Sequence, residues 1–261
     1  MKQHFNMSQY FKGDAAASKQ VSSIGDELDQ DKNHVGHENI TTLQATQQSS
    51  TFDPIEKIKY GFKYFEIDEF DEYPDYYSKL AEKQEPKFLI FACSDSRVSP
   101  TNILNLRPGE AFMARNIANM VPAFDQLKQA GVGAIIEYAI VALKVEVIFV
   151  IGHSRCGGIK RLLSLPNVET SFDFIDDWVS IGQPAKAKII AQNPYASDEE
   201  LLTLIEKESV MNSLVNLLSY PYVRTGIADK KLKLMGGHYD FVNGNFQIME
   251  VDYDIKPTID I

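Results

Sequence analysis

Cys93 and Cys156 are the only two cysteines in the chain, and each lies in a short polar segment at the end of an apolar run: Cys93-Ser94-Asp95-Ser96-Arg97 and Gly152-His153-Ser154-Arg155-Cys156-Gly157-Gly158. With His153 they form a Cys, His, Cys donor set suited to one zinc ion. Zinc takes four ligands in a tetrahedron; structural sites close all four with protein, whereas three protein ligands leave a position for water or substrate. The set therefore points to catalysis. A free cysteine is commonly just a small buried hydrophobe, but two at the ends of apolar runs, one three residues from a histidine, fit a metal site better. Asp95 and Arg97 follow the first ligand closely, and an arginine fork can hold a carboxylate bidentately in a fixed orientation, from which it accepts a hydrogen bond from a bound water.

Sixty residues separate Cys93 from His153, so the fold must bring the ligands together. Lys87 to Ala92 and Val145 to Ile151 are continuous apolar runs, read as buried strands. Their ends deliver Cys93 and His153. Ala111 to Ala114 reads as another strand and Gly131 to Leu143 as an apolar helix, after a loop through Pro100 to Gly109. Phe172 to Ala191 and Glu199 to Leu218 read as helices, and Lys231 to Met235 and Phe246 to Tyr253 as strands that close the sheet. Upstream, Ile55, Ile58, Phe62, Tyr64 and Phe65 recur at roughly helical spacing, and Asp75 to Lys83 suggests a second short helix. Strands alternating with helices predict an α/β fold with a mostly parallel central β-sheet flanked by helices, whose sites cluster beyond the carboxyl ends of the strands. Gly157 and Gly158 would permit close backbone approach at the start of a helix.

The chain has 261 residues, 44% of them hydrophobic, enough for a large core. We expect residues 54–261 to form a single domain. Residues 1–53 form a polar N-terminal tail, rich from Ser18 to Thr51 in Ser, Gln, Asn, Thr and Asp, a composition that does not offset chain entropy. His34 and His37 within it read as a solvated pair, and Asn39-Ile40-Thr41 as a chance sequon. A formal net charge of −10 argues against a nucleic-acid partner. The longest apolar stretches are short of the roughly 20 residues of a membrane span, and residues 1–20 carry no continuous apolar run of a secretory signal. Two cysteines wanted as thiolates suit the reducing cytoplasm, with organellar targeting by the tail left open.

The motifs resemble the signature blocks of the β-class carbonic anhydrases, in their plant-type branch. The likeness is carried by Cys93-Ser-Asp-Ser-Arg97, Arg115-Asn-Ile-Ala-Asn119, Ala134-Ile-Ile-Glu-Tyr138, Gly152-His-Ser-Arg-Cys-Gly-Gly158, Gly182-Gln-Pro-Ala-Lys186, Glu206-Lys-Glu208 and Gly236-Gly-His-Tyr-Asp-Phe241, in that order. It implies the β-carbonic anhydrase fold and one Zn2+ per chain held by Cys93, His153 and Cys156. It implies reversible hydration of carbon dioxide to bicarbonate and a proton by zinc-bound hydroxide, with Asp95 and Arg97 as the catalytic dyad that orients the hydroxide. Gln84 matches the glutamine that hydrogen-bonds substrate; Phe112, Ile117 and Tyr138 match residues shaping a narrow apolar pocket; Gly157 matches a glycine whose backbone lies beside the site. The pocket of the family sits at a dimer interface, which implies self-association as a dimer or higher even oligomer. Arg155 stands where many relatives have a small residue and is read as pointing to solvent. Ser99 and Ile205 replace cysteines common in plant relatives, removing redox-sensitive thiols. Two other readings share the zinc set: hydrolysis of carbon disulfide or carbonyl sulfide on the same fold, and a non-catalytic zinc-dependent bicarbonate sensor. A nucleotide-binding reading of Gly152 to Gly158 lacks the glycine spacing of that fingerprint.

Overall fold

The computed structural model of the chain describes residues 53–125, 128–167 and 171–250; the tail discussed above, apart from Asp53, lies outside them. The described chain divides into two compact units at Pro74. In the first, helix α1 (Pro54–Phe65) is started by Asp53, whose Oδ1 accepts from the backbone N–H groups of Ile55 and Glu56 at 2.8 and 3.3 Å. Proline in the first turn costs nothing there, because that N–H would be unpaired anyway. The spacing of Ile55, Ile58 and Phe62 does produce the expected helix, yet none of its residues is buried and Ile58 and Phe62 remain 68% and 65% exposed. A π-helical turn, Glu66–Phe70, follows.

The second unit is built on a five-stranded sheet. After helix α2 (Pro74–Glu82), strand β1 (Phe88–Cys93) pairs in parallel with β2 (Ala111–Asn116) on one side and β3 (Val147–His153) on the other. Strand β4 (Lys233–Asp240) pairs in parallel with β3, and β5 (Asn245–Glu250) closes the edge antiparallel to β4, giving the order β2-β1-β3-β4-β5. Both central runs are buried along nearly their whole length, as strands covered on two faces must be. Leu89, Phe91, Ile148 and Val150 point into one core, and Ile90, Ala92, Phe149 and Ile151 into the other.

The remaining helices are α3 (Pro100–Ile103), α4 (Ala130–Glu137), α5 (Gly157–Ser164), α6 (Ile175–Val179), α7 (Gln183–Gln192), α8 (Asp198–Leu217) and α9 (Pro221–Ala228). Several differ from the sequence reading. The Pro100 to Gly109 loop begins with a helical turn, and α4 ends in a π-helical turn, Tyr138–Ala142. The expected helix from Phe172 to Ala191 is broken into α6, a 3-10 turn (Ser180–Gly182) and α7, with Pro184 in the first turn of the latter. Helix α9, also opened by a proline, escaped the sequence reading. Strand β4 runs on past Met235 to Asp240; its two glycines lower strand propensity, which hid this part in the sequence, and they sit where neighbours press close.

Helix α8 explains that closeness. It is started by a capping box in which Ser197 Oγ accepts from Glu200 N and Glu200 Oε2 accepts from Ser197 N. It lies over β3 and β4. A Cβ on Gly236 would stand 2.8 Å from Val210 Cγ1, and one on Gly152 would stand 2.7 Å from Val210 Cγ2, so both positions must be bare for the helix to reach the sheet. That approach brings Glu206 to the carboxyl end of β3.

Candidate metal centre

Parallel pairing of β1 with β3 places their carboxyl ends side by side, and both sequence-predicted strand-end ligands arrive there. Cys93 is the last residue of β1 and His153 the last of β3; Cys156 is the N-cap residue of α5. The Sγ atoms of the two cysteines and a ring nitrogen of His153 all lie within 4.8 Å of one another, and all three residues are buried. Among the described residues this is the one cluster of three or more such groups. Zn–S bonds of about 2.3 Å and Zn–N bonds of about 2.0 Å put tetrahedral donors roughly 3.5–4 Å apart, which that spread accommodates.

The histidine carries the sharper test. Nδ1 lies 2.9 Å from the carbonyl oxygen of Ser154, a contact that makes Nδ1 the donor and leaves the Nε2 lone pair free. Nε2 is buried without a hydrogen-bond partner of proper geometry. A buried polar atom left unpaired costs free energy, and a metal ion between the sulfurs removes that cost, with the second nitrogen fixing the tautomer as metal-bound histidines require. The residues present fit zinc.

Electrostatics agree with this. Proton sharing with Cys156 is the strongest influence on Cys93, followed by burial, which opposes it, and by His153; together they pull the thiol down to about 4. Cys93 and then burial push Cys156 up, so the two facing thiols are driven in opposite directions. For His153 burial is the largest single influence and acts downward, but the Cys93 sulfur, the Ser154 carbonyl and the Asp95 charge together outweigh it and the direction is up. A divalent cation between them would favour the thiolate form of both sulfurs.

Asp95 and Arg97 form the expected fork. Arg97 Nε donates to Asp95 Oδ1 at 3.0 Å, Nη2 to Oδ2 at 2.7 Å, and the Arg97 backbone N–H to Oδ1 at 2.9 Å. The guanidinium holds the Asp95 carboxyl well below the usual carboxylate range, against the smaller effect of burial. Asp95 N approaches Cys93 Sγ at 3.4 Å, tying the dyad to the first ligand. Arg155 is exposed, as expected, in a left-handed conformation (φ 54°), and its carbonyl accepts from Arg97 Nη2 at 3.3 Å.

The substrate residues are not gathered in this way. Phe112 and Tyr138 meet with ring centroids 5.7 Å apart, but Tyr138 is 47% exposed. Ile117, 40% exposed, lines a cleft of about 300 Å³ with Phe174 and Trp178. Trp178 Nε1 donates to the Ile117 carbonyl at 2.7 Å. Gln84 is exposed in the segment leading to β1. The close approach expected of both glycines belongs to Gly158 alone: a Cβ there would stand 2.8 Å from Ile117 Cγ2 and 2.9 Å from Ala118 Cβ, whereas nothing lies within 4 Å of one on Gly157.

Several contributors went unassigned in the sequence, although each lies inside a quoted block. Glu206, 2% exposed, accepts from Cys156 N at 3.0 Å through Oε1 and lies 3.3 Å from His238 Nε2 through Oε2. Arg115 donates to the carbonyls of Cys93, Asp95 and Val98, fixing the turn that follows β1. Ser154 N donates to Tyr239 O at 3.0 Å and Ser154 Oγ accepts from Phe241 N at 3.1 Å, stitching the ligand loop to the end of β4. A run of motif residues was the available signal; which partner each would meet depended on the crossing of α8 and on the β3–β4 register.

Comparison with known proteins gives a consistent result. A family model described as carbonic anhydrase matches residues 88–246. Over 212 residues the chain is 49% identical to beta carbonic anhydrase 3 of Arabidopsis thaliana, covering 80% of this chain and 82% of that protein. Among solved structures, the β-carbonic anhydrase CcaA superposes with a TM-score of 0.72 at 29% identity, covering 75% of this chain and 95% of that one. One of two tetrameric β-carbonic anhydrases from Sordaria macrospora gives 0.62 at 28% identity, covering 80% and 97%.

Proposed function

This chain belongs to the carbonic anhydrase family, in its β class, and on that premise we propose that Cys93, His153 and Cys156 hold the zinc ion at which it works. The reaction is the reversible, zinc-dependent hydration of carbon dioxide to bicarbonate and a proton. The observation that carries the ligand assignment is the meeting of three buried donors around an unpaired His153 Nε2. Zinc, when bound, acts as a Lewis acid that lowers the pKa of water in its coordination sphere.

The chain's own residues do the rest. Ser154 holds the imidazole in the tautomer that presents Nε2. Glu206 fixes the backbone of the Cys156 turn from behind. Arg97 keeps Asp95 ionised, so that the carboxylate serves as a hydrogen-bond acceptor of fixed direction beside the first ligand. Phe112, Ile117 and Tyr138 supply apolar surface for carbon dioxide, and Gln84 a polar contact for bicarbonate.

Self-association belongs to this reading. One chain leaves Ile117 and Tyr138 partly in water and Gln84 and Gly157 exposed, and a pocket that favours an apolar gas must exclude water. A second copy covering this face would complete it, in keeping with the tetramers named for the Sordaria proteins. The need for two thiolates suits a reducing compartment, which we take to be the cytoplasm.

The decisive experiment is stopped-flow carbon dioxide hydration with zinc quantified, on the wild type and on Cys156→Ala. Rapid hydration at about one zinc per chain, with both lost in the variant, is expected. Stoichiometric zinc without hydration between about pH 7 and 9, a range bracketing the pKa near 7 of water at a catalytic zinc, would turn the assignment toward sulfur-containing substrates.

A further inference from the structure

Arg97 is an odd residue on which to rest a dyad. Its side chain is 51% exposed, so water competes for the guanidinium even in a bidentate fork. The fork has a further support in Phe241, whose ring centroid lies 4.4 Å from Arg97 Cζ. The same ring stacks on the imidazole of His153, with centroids 6.0 Å apart and planes inclined by 27°. One aromatic side chain therefore touches both the dyad arginine and a candidate zinc ligand.

We propose that Phe241 is a positioning residue for the dyad: its ring face holds the Arg97 guanidinium in the orientation that keeps Asp95 forked beside the metal centre. The inference rests on the anhydrase reading above. The negative face of a phenyl ring attracts a guanidinium and leaves its edge N–H groups free to donate in plane, and here those donors are spent on Asp95 and on the Arg155 carbonyl. Phe241 is itself anchored: its backbone N–H donates to Ser154 Oγ at 3.1 Å, and Ser154 N donates to Tyr239 O at 3.0 Å. Because Ser154 also offers the carbonyl that orients His153, one short segment at the end of β4 ties the position of the imidazole to that of the dyad.

The ring's shape and its charge distribution can be separated experimentally. Replacing Phe241 by 3,4,5-trifluorophenylalanine keeps the volume and drains the negative face; Phe241→Leu removes the face while keeping an apolar side chain; Phe241→Trp strengthens it. Each zinc-loaded protein is assayed for zinc content, melting temperature, hydration kinetics and the Arg97 Nε–Hε signal in 15N NMR, assigned with Arg97→Lys. We expect zinc content to stay at that of the wild type, kcat/KM to fall roughly two- to fivefold in the trifluoro and Leu proteins and to be retained in Phe241→Trp, with the Arg97 signal ordered only where an electron-rich face remains. Wild-type kinetics and an ordered Arg97 in the trifluoro protein would overturn the proposal, as would equal losses in Phe241→Trp and Phe241→Leu. A zinc-loaded wild type with no hydration would instead refute the anhydrase reading, which the Arg97 signal does not depend on.

Discussion

The metal side of the site and its substrate side are built to different degrees within one chain. On the metal side Cys93, His153, Cys156 and Glu206 are 5% exposed or less, and each backbone turn that carries a ligand is held by named hydrogen bonds. On the substrate side Ile117 and Tyr138 are 40% and 47% exposed, and Gln84 and Gly157 are open. The first is finished by the fold of a single chain; the second lies open to solvent. On the proposed reading, metal binding is a property of the protomer and catalysis a property of the assembly.

The largest effect should come from removing the second copy. In protein diluted until sedimentation finds monomers, hydration should fall about a hundredfold, the scale of a misplaced catalytic geometry, with zinc still near one per chain. Full activity in a monomer, or zinc lost together with assembly, would erase the distinction between the two sides.

A smaller effect, on the opposite side, should follow Glu206→Ala. The variant leaves the Cys156 N–H and His238 without their buried partner, and removing a group that supports a metal ligand typically weakens binding by about ten- to a hundredfold. Chelator competition reads the affinity, and self-association should be unchanged. Wild-type zinc affinity would show that the Cys156 turn holds itself.

What the sequence revealed follows the same division. The meeting of Cys93, His153 and Cys156 was legible because donor type is written in the residue and because uninterrupted apolar runs such as Phe88 to Ala92 declare buried strands, whose ends lie side by side in a parallel sheet. Glu206 and Phe241 were not legible as neighbours of that cluster: one reaches it through the approach of α8 to the sheet, the other through a register in which Tyr239 stands opposite His153, and neither contact is local. The α1 spacing predicted a helix correctly, yet a spacing cannot say whether its apolar stripe is covered by the same chain or by another. Prolines at 184 and 221 reset helix starts inside stretches whose composition alone read as continuous or as loop.

The smallest expected change tests what the metal side stands on. A methyl group added by Gly152→Ala would lie 2.7 Å from Val210 Cγ2 and 3.3 Å from the Glu206 carbonyl oxygen. Val210 is fully buried and its other methyl faces Gly236 just as closely, so the added methyl is expected to push α8 from β3 and Glu206 with it. Overpacking of this kind costs about 1–3 kcal/mol, read as a melting temperature lower by several degrees. If the close approach is the cause, Val210→Ala should restore room, and the double variant should lose less stability than the sum of the two single changes, a coupling measured by a double-mutant cycle. Zinc affinity should recover with it. Additive losses would mean that Gly152 is required for the backbone of the His153 turn itself, and the metal side would then depend on the strand end rather than on the helix behind it.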